Sequence, residues 1–557
     1  MRQATLRHMA LLVALALALT GCPGQEEDTE PETDETPEAT DEAPERVTLR
    51  LPGGDQGFPS PFGYMRGPGY VQTSFIYDTL VWKDASGEVL PWLASGFEES
   101  DDGLTYTFEL REGITWHDGE PFTAQDVVFT FAYFDQQQIS PQVIVQPIEE
   151  IEEVTAVDDH TVEFTLSEPA ATFLQFGAAG AVPIVPEHIW SGVDDAAQAS
   201  DVALLVGTGP YRLEQYSPGE GSYLYTANDD YFLGTPVVER LEFVEVGDPL
   251  TALLAGELSA AGGNGLRDDA LAPFEEDDRY EILEAPPGSA GTALYWNLAR
   301  GGALADPQFR RACALAIDRE DMVQRLFGGN GAPGNPGWIP PEHPFHAEVE
   351  QYAFDLEAAN ALLDEAGYAR GEDGMRTGPD GQPLSFELLV PAPAGPPVDL
   401  VVGYLAEIGV QLEPQALDTP SFNQRVLAGE TDMSMISFGG MNSDLAPDYL
   451  RLIYSTEEQL VQQAQGYENP RVDELAREQL NTLDDDERLE IVTEIQEIVA
   501  EDLPLLPLVY PTGFSIHDTE VFDAWYYTPG GVAGVVPTTY NKHAFVTGQE
   551  TGMPTDS

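Results

Sequence analysis

The run Leu110-Arg111-Glu112-Gly113-Ile114-Thr115-Trp116-His117-Asp118-Gly119-Glu120-Pro121-Phe122-Thr123-Ala124-Gln125-Asp126-Val127-Val128-Phe129 changes local structure twice. Leu110 closes a stretch in which Tyr106, Phe108 and Leu110 alternate with polar residues, the period of a half-buried strand. Asp118-Gly119 supplies a tight turn, because glycine accepts the left-handed backbone that a short reversal needs. Thr123-Ala124-Gln125-Asp126 then has the spacing of a capping box ahead of Val127, Val128 and Phe131. Strand, turn and capped helix make this segment a folding unit, so none of its residues is assigned to a ligand site.

Outward from it, Val162, Phe164 and Leu166 repeat the strand alternation, and residues 46–51, 211–216 and 241–246 are further strands. Asp306-Pro307 reads as N-cap and first residue of a helix running to about Phe327. Asp355 caps a helix with Leu356, Ala359, Leu362, Leu363 and Ala366 on one face and Gly367 as its stop. Asn469-Pro470 opens another helix through Leu475 and Leu480, and residues 484–502 carry Leu489, Val492, Ile495 and Val499 at helical spacing. These stripes are core positions. Strands and helices mix without a regular alternation, which makes the fold class α/β, and 557 residues exceed what one core serves.

The N-terminus is an address. Arg2, Arg7 and His8 precede an apolar run from Met9 to Leu19, too short to span a membrane stably. Leu19-Thr20-Gly21-Cys22 follows and resembles a prokaryotic lipobox, which implies cleavage before Cys22 and lipidation of its thiol. From Pro23 to Glu45 the chain is built of Glu, Asp, Thr, Pro, Ala, Gly and Gln, with 11 acids and no aromatic or basic residue. Such a segment cannot bury apolar surface, and its charges extend it into a tether of roughly 70 Å at ~3 Å per residue. After the N-terminus no apolar run reaches the ~18 residues of a membrane span; the longest, 173–186, is cut by Gly177, Gly180 and Pro183.

The chain holds 97 acids against 24 Lys and Arg, a net charge of −73. Removing the 11 tether acids together with Arg2 and Arg7 leaves 86 acids against 22 bases, or −64, on the folded body. That field excludes nucleic acid as a partner, since binding it needs cations against phosphates. It suits a solvated, salt-adapted surface. Only Lys83 and Lys542 are lysines. With Cys22 consumed by lipid, Cys313 has no disulfide partner and reads as a small buried hydrophobe.

Catalytic patterns are missing. There is no HExxH, CxxC, GxSxG or P-loop; Gly207-Thr208-Gly209-Pro210 lacks a third glycine and suits a turn into a strand. His343 and His346 sit among Pro340, Pro341 and Pro344, which disfavours a helical metal pair. Close acid pairs are inevitable among so many carboxylates. A secreted hydrolase or an adhesive surface protein remain the alternatives from other classes.

The run 110–129 is very similar to the signature of the family 5 solute-binding proteins, the peptide/nickel-type extracellular components of ABC importers. Gly207-Thr208-Gly209-Pro210-Tyr211, Asn228-Asp229-Asp230-Tyr231-Phe232, Tyr295-Trp296-Asn297, the region 306–318 and the strand 503–510 resemble further family motifs in the same order. The resemblance implies a two-lobed clamp of the periplasmic-binding-protein type (class II) with an inserted smaller subdomain. Its implied layout is a signal peptide (1–21), an acidic tether (22–45), a discontinuous lobe I (46–85, 195–283 and 512–557), an inserted subdomain (86–194) and lobe II (284–511). Hinges would lie near 285–293 and 506–514. A monomer would hold a small solute, a dipeptide or oligopeptide, between its lobes and deliver it to an ABC permease and ATPase complex. The protein would be extracytoplasmic, held to the membrane by its N-terminal lipid, with no catalytic residue, cofactor or metal.

A cleft that engulfs a ligand needs aromatic walls and a few polar anchors. In the Gly-, Pro- and aromatic-rich loop 58–67, Tyr64 and Met65 are candidates; Trp296 and Asn297 begin the second lobe, and Trp338 sits in a Pro-rich loop. Phe438-Gly439-Gly440-Met441-Asn442-Ser443-Asp444 looks like the family's W-G-x-D-Y site loop, whose Asp pairs with a peptide's α-ammonium. Here Met441 stands in that place, and Phe438, Gly439, Met441 and Asp444 are the candidate contacts, with Asp444 a possible substitute acid. Oligosaccharide, an opine-like or other small metabolite, and nickel or a metal chelate therefore stay open beside peptide.

Overall fold

The computed structural model describes residues 46–549, apart from 63–67, 84–86, 138–149, 176–177, 289, 441–443, 457–460, 462 and 530–541. Tyr106, Phe108 and Leu110 point together into the interior from the strand Thr105–Leu110. They meet the matching face of Thr161–Leu166, with Tyr106 opposite Phe164 and Phe108 opposite Val162. With Ala94–Glu99 and Ile151–Asp158 these strands form a four-stranded antiparallel sheet. Gly119 turns at φ +92°, and the helix Ala124–Gln137 buries Val127, Phe131 and Phe134, with the Phe131 ring 4.9 Å from that of Phe164 on the sheet. Asp126 Oδ2 accepts the Thr123 backbone N–H at 3.0 Å, the returning half of the capping box.

A second four-stranded sheet runs Val47–Pro52, Val238–Val244, Ser222–Ala227, Tyr211–Ser217, its first pair parallel. Both sheets share one hydrophobic core, from Leu49 and Tyr225 to Phe108 and Phe164. The C-terminal helix Lys542–Thr547 is locked into this core. The Lys542 ammonium, fully buried, donates to Ser74 O (2.8 Å), Tyr77 O (3.1 Å) and Asp78 Oδ1 (2.7 Å) and lies 4.3 Å from the Trp82 ring centroid. Asp78 also accepts from Trp92 Nε1, Tyr231 OH and Thr208 Oγ1, so the buried charges carry the hydrogen bonds that burial demands.

The other lobe is built on a six-stranded mixed sheet: Gly331–Pro333, Leu505–Pro511, Ala290–Trp296, Met433–Gly439, Ser385–Pro391, Gln411–Leu417. Its central strand buries both faces, as strand alternation requires of a covered sheet. Leu294 and Trp296 enter a core with the helices Pro307–Ala316, Leu356–Glu365 and Pro396–Glu407. Ala293 and Tyr295 enter another with Ala446–Tyr454, Pro470–Leu480 and Asp485–Asp502. Asp355 and Asn469 cap their helices through side-chain oxygens as the sequence implies, and Asp484 does the same for Asp485–Asp502. The single helix expected from Asp306 to Phe327 is instead two, Pro307–Ala316 and Arg319–Phe327. Ile317 turns extended and Asp318 accepts the Asp321 N–H, so a second N-cap inside the apolar stripe restarts the helix.

The chain passes between lobes twice. Tyr280–Ala285 and Gly513–Asp518 belong to a three-stranded sheet with Ala260–Asn264, while the adjoining strands Ala290–Trp296 and Leu505–Pro511 belong to the six-stranded sheet. Among the described residues no helix is long and apolar enough to cross a membrane.

Candidate functional site

At the end of the six-stranded sheet nearest these crossings, Gly439 pairs with Ala290 and Phe438 with Gly291. A Cβ at Gly291 would lie 2.3 Å from Phe438 Cε2 and 3.0 Å from Tyr510 Cδ1, so glycine is what lets the two rings close over the strand. Phe438 lies against Trp338, ring centroids 4.3 Å apart, and Tyr510 and Tyr454 extend the aromatic wall. Trp338 holds φ +78°, a conformation costing about 1–3 kcal/mol for a bulky residue. Asn335 braces it: Asn335 O accepts the Trp338 N–H, while Asn335 Nδ2 donates to Ile339 O, and Tyr510 OH donates to Trp338 O at 2.6 Å. Trp338 is fully buried, and its indole N–H has no acceptor among the described residues.

Asp444 leaves this loop and pairs with Lys83 Nζ, at the end of the strand Val81–Lys83 in the other lobe. The pair is unequal: the Lys83 side chain is 3% exposed and that of Asp444 38%. Tyr527 is close, its phenol pushed up to about 12 by burial and then by the charges of Asp444 and Glu342. A second contact joins the lobes. Ala171 N–H donates to Leu480 O at 2.9 Å, Asn481 Nδ2 to Glu168 Oε2 at 2.6 Å, and Thr172 Oγ1 to Asp448 Oδ2 at 3.5 Å. Asp448 in turn pairs with Arg488, both almost wholly buried, and Arg488 Nε donates to Gln479 Oε1.

The structure thus brings Phe438, Gly439 and Trp338 to one wall and sets Asp444 against Lys83. Lys83 was not among the sequence candidates; the signal that could have found it is its rarity as one of two lysines. Trp296 is fully buried in the lobe core, and Asn297 Nδ2 donates to Gly429 O (3.2 Å) and Thr431 O (2.9 Å), so both hold the lobe together. Tyr64, Met65, Met441 and Cys22 lie outside the described residues. Open cavities of about 830 and 670 Å³, one beside Arg111 and His160 and one beside Arg300 and Tyr368, hold none of the candidates.

The motifs that sequence reading kept out of the site meet one another instead. His117 Nε2 lies 2.8 Å from Gly209 O, and Gly207 N–H donates to His117 Nδ1 at 3.3 Å, which places the proton of a neutral ring on Nε2. Burial holds this imidazole down at about 4; the Gly209 carbonyl opposes the shift and the Arg212 cation adds to it. A Cβ at Gly207 would sit 1.8 Å from Ile76 O, so the turn needs glycine for backbone contact rather than for a phosphate.

Comparison with known proteins agrees with this architecture. Residues 88–459 match the family model described as bacterial extracellular solute-binding proteins, family 5 Middle. Protein XP55 of Streptomyces lividans is 30% identical over 511 residues, covering 90% of this chain and 89% of that protein. Di/tripeptide-binding protein 2 of Pseudomonas aeruginosa is 27% identical over 475 residues, covering 79% and 84%. The crystal structure of NikZ from Campylobacter jejuni in complex with Ni(L-His) superposes with a TM-score of 0.74 at 23% identity, covering 90% of this chain and 99% of that one. Its fold is the two-lobed clamp. The chain belongs to the family 5 bacterial extracellular solute-binding proteins.

Proposed function

We propose that this protein is the ligand-capturing component of an ABC importer for dipeptides or oligopeptides, anchored outside the membrane through lipid on Cys22. The observation that carries the reading is similarity along 79% of the chain to a di/tripeptide-binding protein, together with an aromatic wall and an acid facing the opposite lobe. The lobes follow the layout 46–85, 195–283 and 512–557 against 284–511, with 86–194 inserted, and they hinge where the strands change sheets. Phe438, Gly439 and Asp444 line the cleft, and Trp338 backs it. Closure selects the liganded state because only the closed clamp touches the solute from both sides. The permease reads closure; no bond in the solute is broken.

A thermal-shift panel of di- to pentapeptides, sugars and metal chelates tests the ligand class, since a ligand held by the native state raises Tm. Peptides raising Tm support the reading. Sugars or chelates acting while peptides do not would replace it with the second reading, a non-peptide solute, which Met441 favours because it sets an apolar, adaptable side chain where the family resemblance puts an acid.

A further inference from the structure

We propose that the segment 168–172 and the turn 479–483 form a closure latch, a contact made in the closed clamp and broken in the open one, which sets the fraction of closed protein without touching the solute. The inference rests on the solute-binding reading above and adds the regulation of that cleft.

Each side of the contact is held by its own unit. Residues 168–172 follow the strand Thr161–Leu166, and Phe173 fixes them by stacking on Tyr106, ring centroids 4.3 Å apart. Residues 479–483 end the helix Pro470–Leu480 and lead to Asp484, the cap of Asp485–Asp502. Across the gap the Ala171 N–H donates to Leu480 O at 2.9 Å, one of the last-turn carbonyls that a helix leaves without an internal partner. Asn481 Nδ2 donates to Glu168 Oε2 at 2.6 Å. Leu483, 41% exposed, reaches Gly103, where a Cβ would lie 2.3 Å from Leu483 Cδ1. Thr172 Oγ1 donates to Asp448 Oδ2 at 3.5 Å and covers the buried Asp448–Arg488 pair.

What the contact lacks is a shared core. The sheets of Thr105–Leu110 and Val47–Pro52 bury one continuous hydrophobic cluster, so the inserted subdomain moves with lobe I. Among the described residues the clusters of the six-stranded lobe are separate from it, and Leu480 and Leu483 belong to none. A small, polar, partly exposed contact is rehydrated at little cost when it parts, as at an interface between moving domains. Its position ties it to the cleft. Asp448 and Tyr454 lie on one helix, Ala446–Tyr454, about 9 Å apart along its axis, and Tyr454 packs on Trp338 of the aromatic wall. One rigid element therefore carries both the seat of the latch and the backing of the wall. A solute that favours closed lobes draws the latch shut, and a stronger latch raises apparent affinity by enlarging the closed fraction.

The test uses the full chain. Hydrogen exchange compares the Ala171 amide, bonded across the latch, with the Phe164 amide in an inner strand of the same subdomain. Asn481→Ala/Leu483→Ala, at the rim of the contact, should speed Ala171 exchange severalfold and leave Phe164 unchanged. Asn481→Lys sets an ammonium against Glu168 and should slow Ala171 exchange about threefold. Asn481→Lys/Glu168→Gln should lose that gain, which neither general disruption nor a lower net charge would reproduce. For any solute that the thermal panel finds, Kd should weaken about tenfold in Asn481→Ala/Leu483→Ala, through faster release at unchanged association, and tighten in Asn481→Lys. The solute should also slow exchange at Ala171 more than at Phe164. Ala171 exchange that is alike in wild type and both variants overturns the latch, as does a gain from Asn481→Lys that survives Glu168→Gln. A solute whose Kd is the same in all these proteins would sink the latch and leave the solute-binding reading standing. Exchange that follows the variants as expected, in a chain that no compound of the panel stabilises, would leave the latch standing and count against the peptide reading.

Discussion

Lys542→Met isolates the buried charge pair that fastens the C-terminal helix. The substitution keeps an unbranched side chain of similar length and removes the ammonium that lies 4.3 Å from the Trp82 ring centroid, with its three hydrogen bonds to Ser74 O, Tyr77 O and Asp78. Breaking a fully buried pair by removing one partner costs about 3–5 kcal/mol, because the other charge stays buried. Asp78 retains donors from Trp92, Tyr231 and Thr208, which places the loss near the lower end, about 3 kcal/mol. Asp78→Asn removes the other charge, and the double variant should be less unstable than the sum of the singles by about 1–3 kcal/mol. Urea unfolding at unchanged m reads all four proteins. A loss under about 1 kcal/mol for Lys542→Met, or strict additivity in the cycle, would refute the claim that the pair holds this region together.

His117 and His517 are both held down at about 4 by burial against an ordinary 6.5. The unfolded chain therefore takes protons first as pH falls below 6.5, and stability present at neutral pH is lost between 6.5 and 4. Each shift is worth at most about 3 kcal/mol, less for His117 to the extent that water reaches its ring. Comparing wild type with His117→Asn at pH 7 and 4.5 should show a shallower acid loss in the variant; equal slopes would remove His117 from the account. Cys22→Ser should move the protein from the membrane fraction to the soluble extracytoplasmic fraction, and retention of the variant at the membrane would count against the lipid anchor. If the acidic surface is a salt adaptation, Tm should rise between low and molar salt as repulsion is screened; a flat response would dismiss it.

Much of the fold was legible because its signals are local. Alternation at Tyr106, Phe108 and Leu110 requires a strand with one buried face, and capping side chains at Asp355 and Asn469 mark helix starts wherever they end up in space. The break at Ile317 was missed because the apolar stripe continues past it, and an Asp inside such a stripe reads as surface until its cap is seen. The site was less legible. Trp296 and Asn297 have the residue types of a binding wall, yet lie in the core and in a turn brace; aromatic and amide side chains serve both purposes, and only burial separates them.

By itself the sequence determined the strand–turn–helix unit at 110–129, the acidic composition of 23–45 and the body's negative charge, since each follows from neighbouring residues or from composition. Tertiary structure alone decided that Lys83 faces Asp444, that Asp78 and Lys542 share one desolvated pocket, and that Trp338 lies against Phe438. These are contacts between distant segments. Their strength comes from the water they exclude, which no local pattern specifies before the chain has folded.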